Sequence, residues 1–242
     1  YRQNQNGGQY NISLDAWNKL QSLPQIFEAG DKLSVLRADK VGDEFKMQYI
    51  IKGSGDEYQR MDEIKATNAR FILPLKFPST YDVEDPFDAN MISLTELKHW
   101  EMAPMNPSAF EKKYIQFALT ADGLKDKKEF FKNIRKAIEY GLTERTALKA
   151  LTVTPAEMLG MQNQIGSLKK GMVANFIITS GNLFDEKNVI YENWVLGEPY
   201  MVKDMNVIDI RGNYSLSLNN NSYKLKISGE AEKPKADISI GD

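Results

Sequence analysis

Short apolar segments alternate with longer amphipathic stretches over the first two thirds of the chain. Four of the apolar segments have the length of a β-strand, namely residues 33–37 (LSVLR), 49–52 (YIIK), 70–75 (RFILPL) and 114–119 (YIQFAL). The stretches between them place apolar residues three or four positions apart, which is the spacing of one face of a helix. Strands that alternate with helices form βα units around a mainly parallel sheet. The pattern therefore predicts an α/β fold.

The helical pattern is strongest in residues 127–141, where Phe130, Ile134 and Ile138 fall on one face and Gly141 follows as a stop. Further helices are predicted over residues 13–20, 24–29, 56–67, 93–100, 107–113, 144–151 and 154–160. A long connection with several prolines, residues 76–107, separates the third apolar segment from the fourth. Long connections inside compact domains are usually functional or capping elements.

The pattern changes after Gly160. Turns that contain glycine precede a predicted strand at residues 173–179, and short apolar segments follow at 194–197 and 200–204. From residue 206 to 229 apolar and polar residues alternate, which is typical of antiparallel strands, and residues 230–242 form a charged tail. These changes predict three regions, residues 1–160, 161–205 and 206–242, the last being a further β-rich domain or tail.

Composition narrows the functional classes. Hydrophobic residues make up 42% and charged residues 26% of the 242 residues, which is ordinary for a globular protein. Lys and Arg number 31 against 33 Asp and Glu, so there is no basic field to bind nucleic acid. No apolar run has the length of a membrane span. The chain has no cysteine and one histidine, His99, and therefore cannot build a thiolate site or a three-histidine metal site by itself.

Residues 152–179 carry an ordered series of motifs. The series T-x-N-P-A-x-x-L-G, followed by I-G-S-L-x-x-G-x-x-A-D, is typical of the imidazolonepropionase-like branch of the amidohydrolase superfamily. This chain resembles that series at Thr154, Pro155, Ala156, Leu159, Gly160, Ile165, Gly166, Ser167, Leu168, Gly171 and Ala174, with Asn175 in place of the usual Asp. Residues 194–204 resemble the strand pair V-x-V-x-G-x-x-V that follows in the same family.

The resemblance implies a fold. In that family the first motif follows the eighth strand of a TIM-type barrel, and the second returns the chain to a small β-sandwich. Only four strand segments precede the motifs, so we expect a partial (half) barrel of strands five to eight, then a β-sandwich segment and an antiparallel β tail. We expect Tyr1 to begin a fragment of a multidomain protein, exported to the periplasm as some long relatives are. The expected partner is the missing N-terminal half-barrel or another chain.

The resemblance also implies a chemistry that the residues contradict. In the family a metal, usually zinc, lies at the carboxyl ends of the strands and lowers the pKa of a bound water. A His-Ala pair ends the fifth strand, His-Gly ends the sixth, and an Asp ends the eighth. On the predicted register these positions hold Arg37-Ala38, Lys52-Gly53 and Asp122. Because Arg and Lys repel a divalent ion, we expect no metal and no other cofactor.

The individual residues leave several interpretations open. Arg37 and Lys52 either bind a substrate or another anion, or form an ion-pair cluster with Asp122 that fills the space of the metal. Asp122 is either a catalytic relic of the family or a turn and helix-cap residue. His99 is expected to be structural or to lie on the surface. The run GSGDEY, residues 53–58, lacks the Lys-Ser/Thr ending of a phosphate loop, so turn formation and helix capping are predicted for it.

Three functions are compatible with these residues. The first is a pseudoenzyme, an amidohydrolase-related domain without metal ligands that acts as a scaffold or binding module of a larger protein. The second is a metal-dependent hydrolase of amide or cyclic amide C–N bonds, with ligands supplied by the missing half. The third is a structural or ligand-binding β-rich module. A small-molecule ligand is compatible with each of them.

Overall fold

The chain folds into two compact units. The computed structural model describes residues 11–205, 208–219, 221–231 and 233–240. One unit holds the described residues up to Ala174 together with Asn182–Lys187, and the other holds Asn175–Gly181 and the described residues from Asn188 onward. The predicted lead-in, residues 1–11, lies outside the described residues except for Asn11. The three predicted regions stay a prediction.

The first unit alternates strands with helices. Its strands are β1 (Ile26–Glu28), β2 (Ile50–Lys52), β3 (Arg70–Pro74) and β4 (Phe117–Thr120). Its helices are α1 (Ile12–Leu20), α2 (Lys32–Phe45), α3 (Met61–Ala66), α4 (Pro86–Met91), α5 (Leu94–Met102), α6 (Asn106–Lys112), α7 (Glu129–Glu139), α8 (Glu144–Leu151) and α9 (Val153–Met158). No helix in the described part of the chain is both long enough and apolar enough to cross a membrane.

The four strands form one parallel sheet in the order β1-β2-β3-β4. Side chains alternate between its two faces. One face is buried in the main hydrophobic core, to which the sheet contributes Ile51, Phe71, Leu73, Phe117 and Leu119. The second face carries Ile50, Ile72 and Ala118, which pack with Met158 of α9 in a smaller cluster. The mixed α/β fold with a parallel sheet is therefore confirmed.

Two of the sequence predictions around the first strand are wrong. The segment LSVLR, residues 33–37, belongs to helix α2, which Asp31 caps by accepting a hydrogen bond from the Ser34 amide at 2.6 Å. Val35 and Ala38 are buried at helical spacing along this helix. Residues 24–29, predicted to be helical, contain strand β1, whose neighbours Gln25 and Ala29 hydrogen-bond to β2 at 2.9 Å. The first strand thus ends at Glu28-Ala29 and not at Arg37-Ala38.

The other three strand predictions are confirmed within a few residues. The segments at residues 49–52 and 70–75 contain β2 and β3. The segment at residues 114–119 overlaps β4, which begins later because Tyr114 has a left-handed backbone with φ of 55° and makes a turn. The helices predicted over residues 13–20, 93–100, 107–113, 127–141 and 144–151 also coincide with helices of the structure.

The second unit consists of two antiparallel sheets. The first has the order β5 (Phe176–Thr179), β6 (Ile190–Val195), β7 (Glu198–Met201). The second has the order β10 (Lys233–Ile240), β9 (Asn221–Glu230), β8 (Gly212–Leu218). The alternation is confirmed as strands over residues 212–218 and 221–229. Ile208–Ile210 form no strand, and Asn206 and Val207 lie outside the described residues. Part of the predicted charged tail is strand β10.

The motif glycines Gly166 and Gly171 both have left-handed backbones, with φ of 93° and 91°. Their surroundings differ. A Cβ on Gly166 would lie 2.7 Å from the Ala156 Cβ and 2.9 Å from the Thr152 carbonyl oxygen, whereas a Cβ on Gly171 would meet nothing within 4 Å. Gly166 is therefore needed both for a turn and for the close approach of the chain to α9, whereas Gly171 is needed only for its own turn.

This contrast predicts unequal costs for two alanine substitutions. Gly171→Ala should lower the free energy of unfolding by about 1–2 kcal/mol, because an alanine is strained in the left-handed region. Gly166→Ala should lower it by about 1–3 kcal/mol more, since the added methyl overpacks the contact with α9. Urea unfolding followed by circular dichroism measures both values. Equal losses in the two variants would contradict the close approach at Gly166.

Candidate active site at the strand ends

A three-residue ion cluster lies at the carboxyl ends of the parallel strands. The Lys52 ammonium donates a hydrogen bond to Glu28 Oε1 at 2.7 Å and a second, short one to Asp122 Oδ2. Glu28 and Lys52 are direct partners in the pairing of β1 with β2. Asp122 follows β4, so its side chain reaches Lys52 past the end of the intervening strand β3. We call Glu28, Lys52 and Asp122 the strand-end cluster.

Strand alternation explains why Lys52 points into this cluster. Lys52 lies two residues after Ile50 and therefore on the second face of the sheet, level with Ile72 and Ala118 on β3 and β4. Its side chain is 19% exposed, whereas Glu28 is 72% and Asp122 59% exposed. The cation is thus the most enclosed member, and the two carboxylates cover it from the solvent side.

The electrostatics hold Lys52 and Asp122 in their charged forms near neutral pH. Hydrogen bonds to Asp122 and Glu28 raise the pKa of the Lys52 ammonium above its ordinary value of 10.5. The hydrogen bond from Lys52 lowers the pKa of the Asp122 carboxyl below its ordinary 3.8. Lys52 is consequently neither a nucleophile nor a general base, because both roles need the neutral amine.

A second ion pair joins the loops that follow β1 and β2. Asp56 accepts hydrogen bonds from the Lys32 amide at 2.9 Å, from the Lys32 ammonium at 3.0 Å and from the Ser54 hydroxyl at 2.7 Å. Its side chain is only 17% exposed. This pair fixes the start of α2 against the loop after β2, and so supports both strand ends that carry the cluster.

The loop after β2 is organised around a buried carboxylate, that of Glu57. Glu57 is fully buried and accepts hydrogen bonds from the Ser54 amide at 2.6 Å, the Gly55 amide at 3.1 Å and the Asn106 side-chain amide at 2.7 Å. A Cβ on Gly53 would overlap the same carboxylate, so only glycine is accommodated there. The N–H groups of Ser54 and Gly55 in GSGDEY are therefore occupied by the protein's own carboxylate, in line with the predicted turn role.

His99 contacts an aromatic neighbour. Its Nδ1 lies 3.2 Å from the Tyr58 hydroxyl, and the two rings stack with centroids 6.0 Å apart. This contact ties helix α5 to the segment that follows the Glu57 loop. It is a structural contact of the kind expected from the sequence.

The structure brings together two of the three site residues predicted from the sequence. Lys52 and Asp122 are in contact, but Arg37 is exposed on α2. There it adds to the lowering of the Asp31 pKa that hydrogen bonds from Ser34 chiefly cause. The hydrogen bonds and ion pairs found among the described residues do not join Arg37 to the cluster. Its place is taken by Glu28, which the sequence does not reveal because its pattern predicts a helix over residues 24–29. The signal in the sequence is the pair Glu28-Ala29, whose alanine matches the His-Ala pair that ends the fifth strand in the family.

A divalent metal does not fit the strand-end cluster. Among the described residues, no three or more His, Cys, Asp or Glu side chains lie close enough together to hold a metal ion. The cluster offers two carboxylates, and both already accept hydrogen bonds from the Lys52 ammonium. An ion bound between them would lie against a fixed positive charge, which costs several kcal/mol at such short range even at an effective dielectric constant of about 20.

The dependence of the Asp122 pKa on Lys52 predicts a titration effect. In Lys52→Met the Asp122 pKa should rise towards or above 3.8, because its hydrogen-bond donor is lost and the negative charge of Glu28 remains. In the wild type this carboxylate stabilises the fold fully above pH 3.8, and the contribution disappears as pH falls through the lowered pKa. The ¹³C NMR titration of the Asp122 carboxyl carbon measures the change.

The matched control for that titration is Lys32→Met, which removes the other partly buried lysine of the strand-end loops. It should leave the Asp122 pKa unchanged. A Lys52→Met variant with an Asp122 pKa equal to that of the wild type would show that the cluster is not formed in solution.

The Glu57 network predicts a large effect of a small change. In Glu57→Gln the amide places N–H groups opposite backbone N–H donors, so the free energy of unfolding should fall by about 2–3 kcal/mol. Glu63→Gln is the control, because Glu63 is half exposed in a surface pair with Arg60 and should change stability by less than about 1 kcal/mol. Chemical denaturation compares them. Equal losses of stability in Glu57→Gln and Glu63→Gln would show that the Glu57 carboxylate does not organise this loop.

Comparison with known proteins shows which of them resemble this chain in sequence or in fold. A protein-family model described as the amidohydrolase family matches residues 56–209, more than half of the chain. Among solved structures, an amidohydrolase from Thermotoga maritima MSB8 superposes with a TM-score of 0.62 at 20% sequence identity, over 82% of this chain and 49% of that one. A second amidohydrolase gives a TM-score of 0.53 at 15% identity, over 73% of this chain and 44% of that one.

A prolidase in complex with N-methylphosphonate-L-proline gives a TM-score of 0.51 at 16% identity, again over 73% and 44% of the two chains. At these identities the superpositions show likeness of fold alone. This chain spans about half the length of the solved structures that it matches. No curated protein sequence matches it significantly. The family match, which covers more than half of the sequence, shows that the chain belongs to the amidohydrolase family.

Proposed function

We propose that the chain is a metal-free amidohydrolase-family domain, without catalysis of its own, that acts as a scaffold or binding module of a larger protein. The observation that carries this proposal is the position of the Lys52 ammonium, which donates to both Glu28 and Asp122. In the family that region of the fold holds a catalytic metal. A fixed ammonium occupies the equivalent space here.

The proposal rests on a barrel register in which β1 to β4 correspond to strands five to eight of a half TIM-type barrel. Their parallel order and the coverage of about half of each related structure support this register. Glu28-Ala29 then stands at the His-Ala position of the fifth strand, Lys52-Gly53 at the His-Gly position of the sixth, and Asp122 at the Asp of the eighth. Two neutral metal ligands are thus replaced by one acidic and one basic residue.

The replacement removes the two functions that a metal serves in this family. An ammonium has no vacant orbital with which to polarise a carbonyl oxygen, and it does not bring the pKa of a water near 7 as a bound metal does. Asp122, which would move a proton during hydrolysis, is engaged by Lys52 with a lowered pKa. A carboxylate of lowered pKa is a weak base. The cluster is therefore suited to holding strand ends together.

The edges of the parallel sheet support a partner half-barrel. In the four-stranded sheet β1 and β4 are the outer strands, and on β1 Ile26 is 56% exposed and Phe27 39% exposed. Unpaired strand edges with apolar residues readily pair with further strands. We therefore propose that strands from the rest of the protein, or from another chain, lie beside β1 and β4.

Metal analysis tests the proposal. After incubation with zinc and gel filtration, the wild-type chain should retain far less than one equivalent of zinc, as measured by inductively coupled plasma mass spectrometry. Lys52→Glu should gain zinc, because the introduced carboxylate joins Glu28 and Asp122 and removes the positive charge. Lys32→Glu is the control and should gain none, since it leaves Lys52 in place.

One result would overturn the proposal. If the wild type retained one equivalent of zinc, and Glu28→Gln or Asp122→Asn abolished that binding, the cluster would be a metal site and a metal-dependent hydrolase would be the better description. Circular dichroism of each variant establishes that it is folded before its metal content is compared.

A further inference from the structure

A cavity lies at the amino end of β4, at the end of the parallel sheet opposite the strand-end cluster. Its volume is about 310 Å³, and its walls come from the last turn of α6, the start of β4, and helices α8 and α9. We call it the β4 cavity. Pockets that bind small molecules typically occupy roughly 300–1,000 Å³, so the β4 cavity is large enough for a small organic ligand.

One polar group in the wall of the β4 cavity has no partner in the protein. Among the described residues five polar or charged residues are buried, and four of them use their side chains in hydrogen bonds, namely Glu57, Thr67, Asn106 and Ser108. The fifth is Thr154 on α9, which is 3% exposed and whose hydroxyl takes part in none of the hydrogen bonds found in the described part of the chain. Because a buried hydroxyl without a hydrogen bond is costly, Thr154 indicates that a polar group occupies the cavity.

The Thr154 hydroxyl borders the cavity and not a closed void. Among the described residues, every fully buried side-chain nitrogen or oxygen has a hydrogen-bond partner. Since the Thr154 hydroxyl has none, the small part of Thr154 that stays accessible includes this oxygen. The accessible space that Thr154 lines is the β4 cavity. A ligand in the cavity can therefore reach the hydroxyl.

The β4 cavity also has a cation that no carboxylate neutralises. Lys149, in the last turn of α8, lines the cavity, and its ammonium is in none of the ion pairs found between described residues. Glu111 lines it too, but its carboxylate already accepts hydrogen bonds from the Thr143 amide and from the hydroxyls of Thr143 and Thr146, at 2.5–2.9 Å. A lysine in the last turn stabilises a helix by itself. Lys149 thus indicates a ligand only together with Thr154.

These groups define the chemistry of a ligand. The Lys149 ammonium is a donor, and the Thr154 hydroxyl can donate as well, so both suit an acceptor with a negative charge. One unmatched ammonium balances one negative charge, and the Glu111 carboxylate would repel a second. A carboxylate therefore fits the cavity better than a phosphate. Ile115 and Phe117, which are 8% and 3% exposed, make part of the wall apolar.

We propose that the β4 cavity binds a small organic monocarboxylate with a short apolar or aromatic body. The ligand carboxylate accepts hydrogen bonds from the Lys149 ammonium and the Thr154 hydroxyl, and the body packs on Ile115 and Phe117. The site lies away from the strand-end cluster, so it is independent of whether that cluster holds a metal. It would make this domain a binding module for a small acid.

Binding of 3-phenylpropionate to the wild-type chain tests the proposal. Isothermal titration calorimetry should give a dissociation constant at or below about 1 mM. The uncharged 3-phenylpropanamide has the same body without the carboxylate, and should bind at least about tenfold more weakly. In ¹⁵N-resolved NMR spectra the amide shifts caused by 3-phenylpropionate should centre on residues 115–117 and 149–154.

Removal of the cation should change the affinity for the acid alone. Lys149→Met keeps much of the side-chain length without the charge, and should weaken binding of 3-phenylpropionate by about tenfold or more while leaving that of the amide unchanged. Lys132→Met is the matched control, because Lys132 is an exposed lysine of α7 that does not line the cavity. It should bind 3-phenylpropionate as the wild type does.

Two substitutions of Thr154 separate recognition from packing. Thr154→Val has nearly the same shape without the hydroxyl, and should weaken binding of 3-phenylpropionate by about three- to tenfold. Thr154→Ser keeps the hydroxyl and should restore most of the affinity. Circular dichroism establishes that each variant is folded before its affinity is compared.

Three results would overturn the proposal. If the wild type does not bind 3-phenylpropionate at concentrations up to about 10 mM, the cavity holds water alone, which then satisfies the Thr154 hydroxyl. If the acid and the amide bind equally, the cavity does not select a carboxylate. If Lys149→Met and Thr154→Val both bind the acid as the wild type does, the acid occupies another site.

Discussion

Parallel pairing of β1 to β4 is the constraint on which the strand-end cluster depends. Because all four strands run the same way, their carboxyl ends meet at one edge of the sheet, and the pairing of Glu28 with Lys52 makes these side chains neighbours. Asp122 completes the cluster from beyond β4. A shift of β1 by one residue would turn Glu28 towards the face that is buried in the main hydrophobic core. The chemistry of the site is thus fixed by strand register, and the surrounding loops reinforce it.

The sequence predicts β2 and β3 well because both are apolar segments bounded by turn residues, Gly53 and Pro74. It fails at residues 33–37, since a five-residue apolar run is too short to show a period. The longer window, with Asp31 as cap and Val35 and Ala38 buried at helical spacing, carries the helix signal. Strand β1 has three residues, and none is buried. For this reason the sequence predicts Arg37, and not Glu28, at the end of the first strand.

Glu57 illustrates a different limit of sequence reasoning. Its carboxylate is satisfied by two amides of its own loop and by Asn106, 49 residues away along the chain. Glycine-rich loops that bind an external anion and loops that bind an internal carboxylate use the same N–H groups, so their sequences look alike. Only the packing that buries Glu57 distinguishes them. Lys52 and Asp122 are predictable from the sequence, because Lys52 ends one apolar strand, Asp122 lies two residues after another, and the two strands end at the same edge.

On the proposed register, the replacement of a metal by an ammonium would explain how a family fold can outlast its chemistry. Two carboxylates held close together at one edge of a sheet repel each other, and a cation between them relieves that repulsion whether it is a metal or a lysine. The lysine is covalently attached, so the strand ends need no bound ion for their stability. It lacks the Lewis acidity on which hydrolysis depends. On the proposed register, stability and catalysis are therefore separated at Lys52, and later changes at the strand ends would be constrained by ion pairing alone.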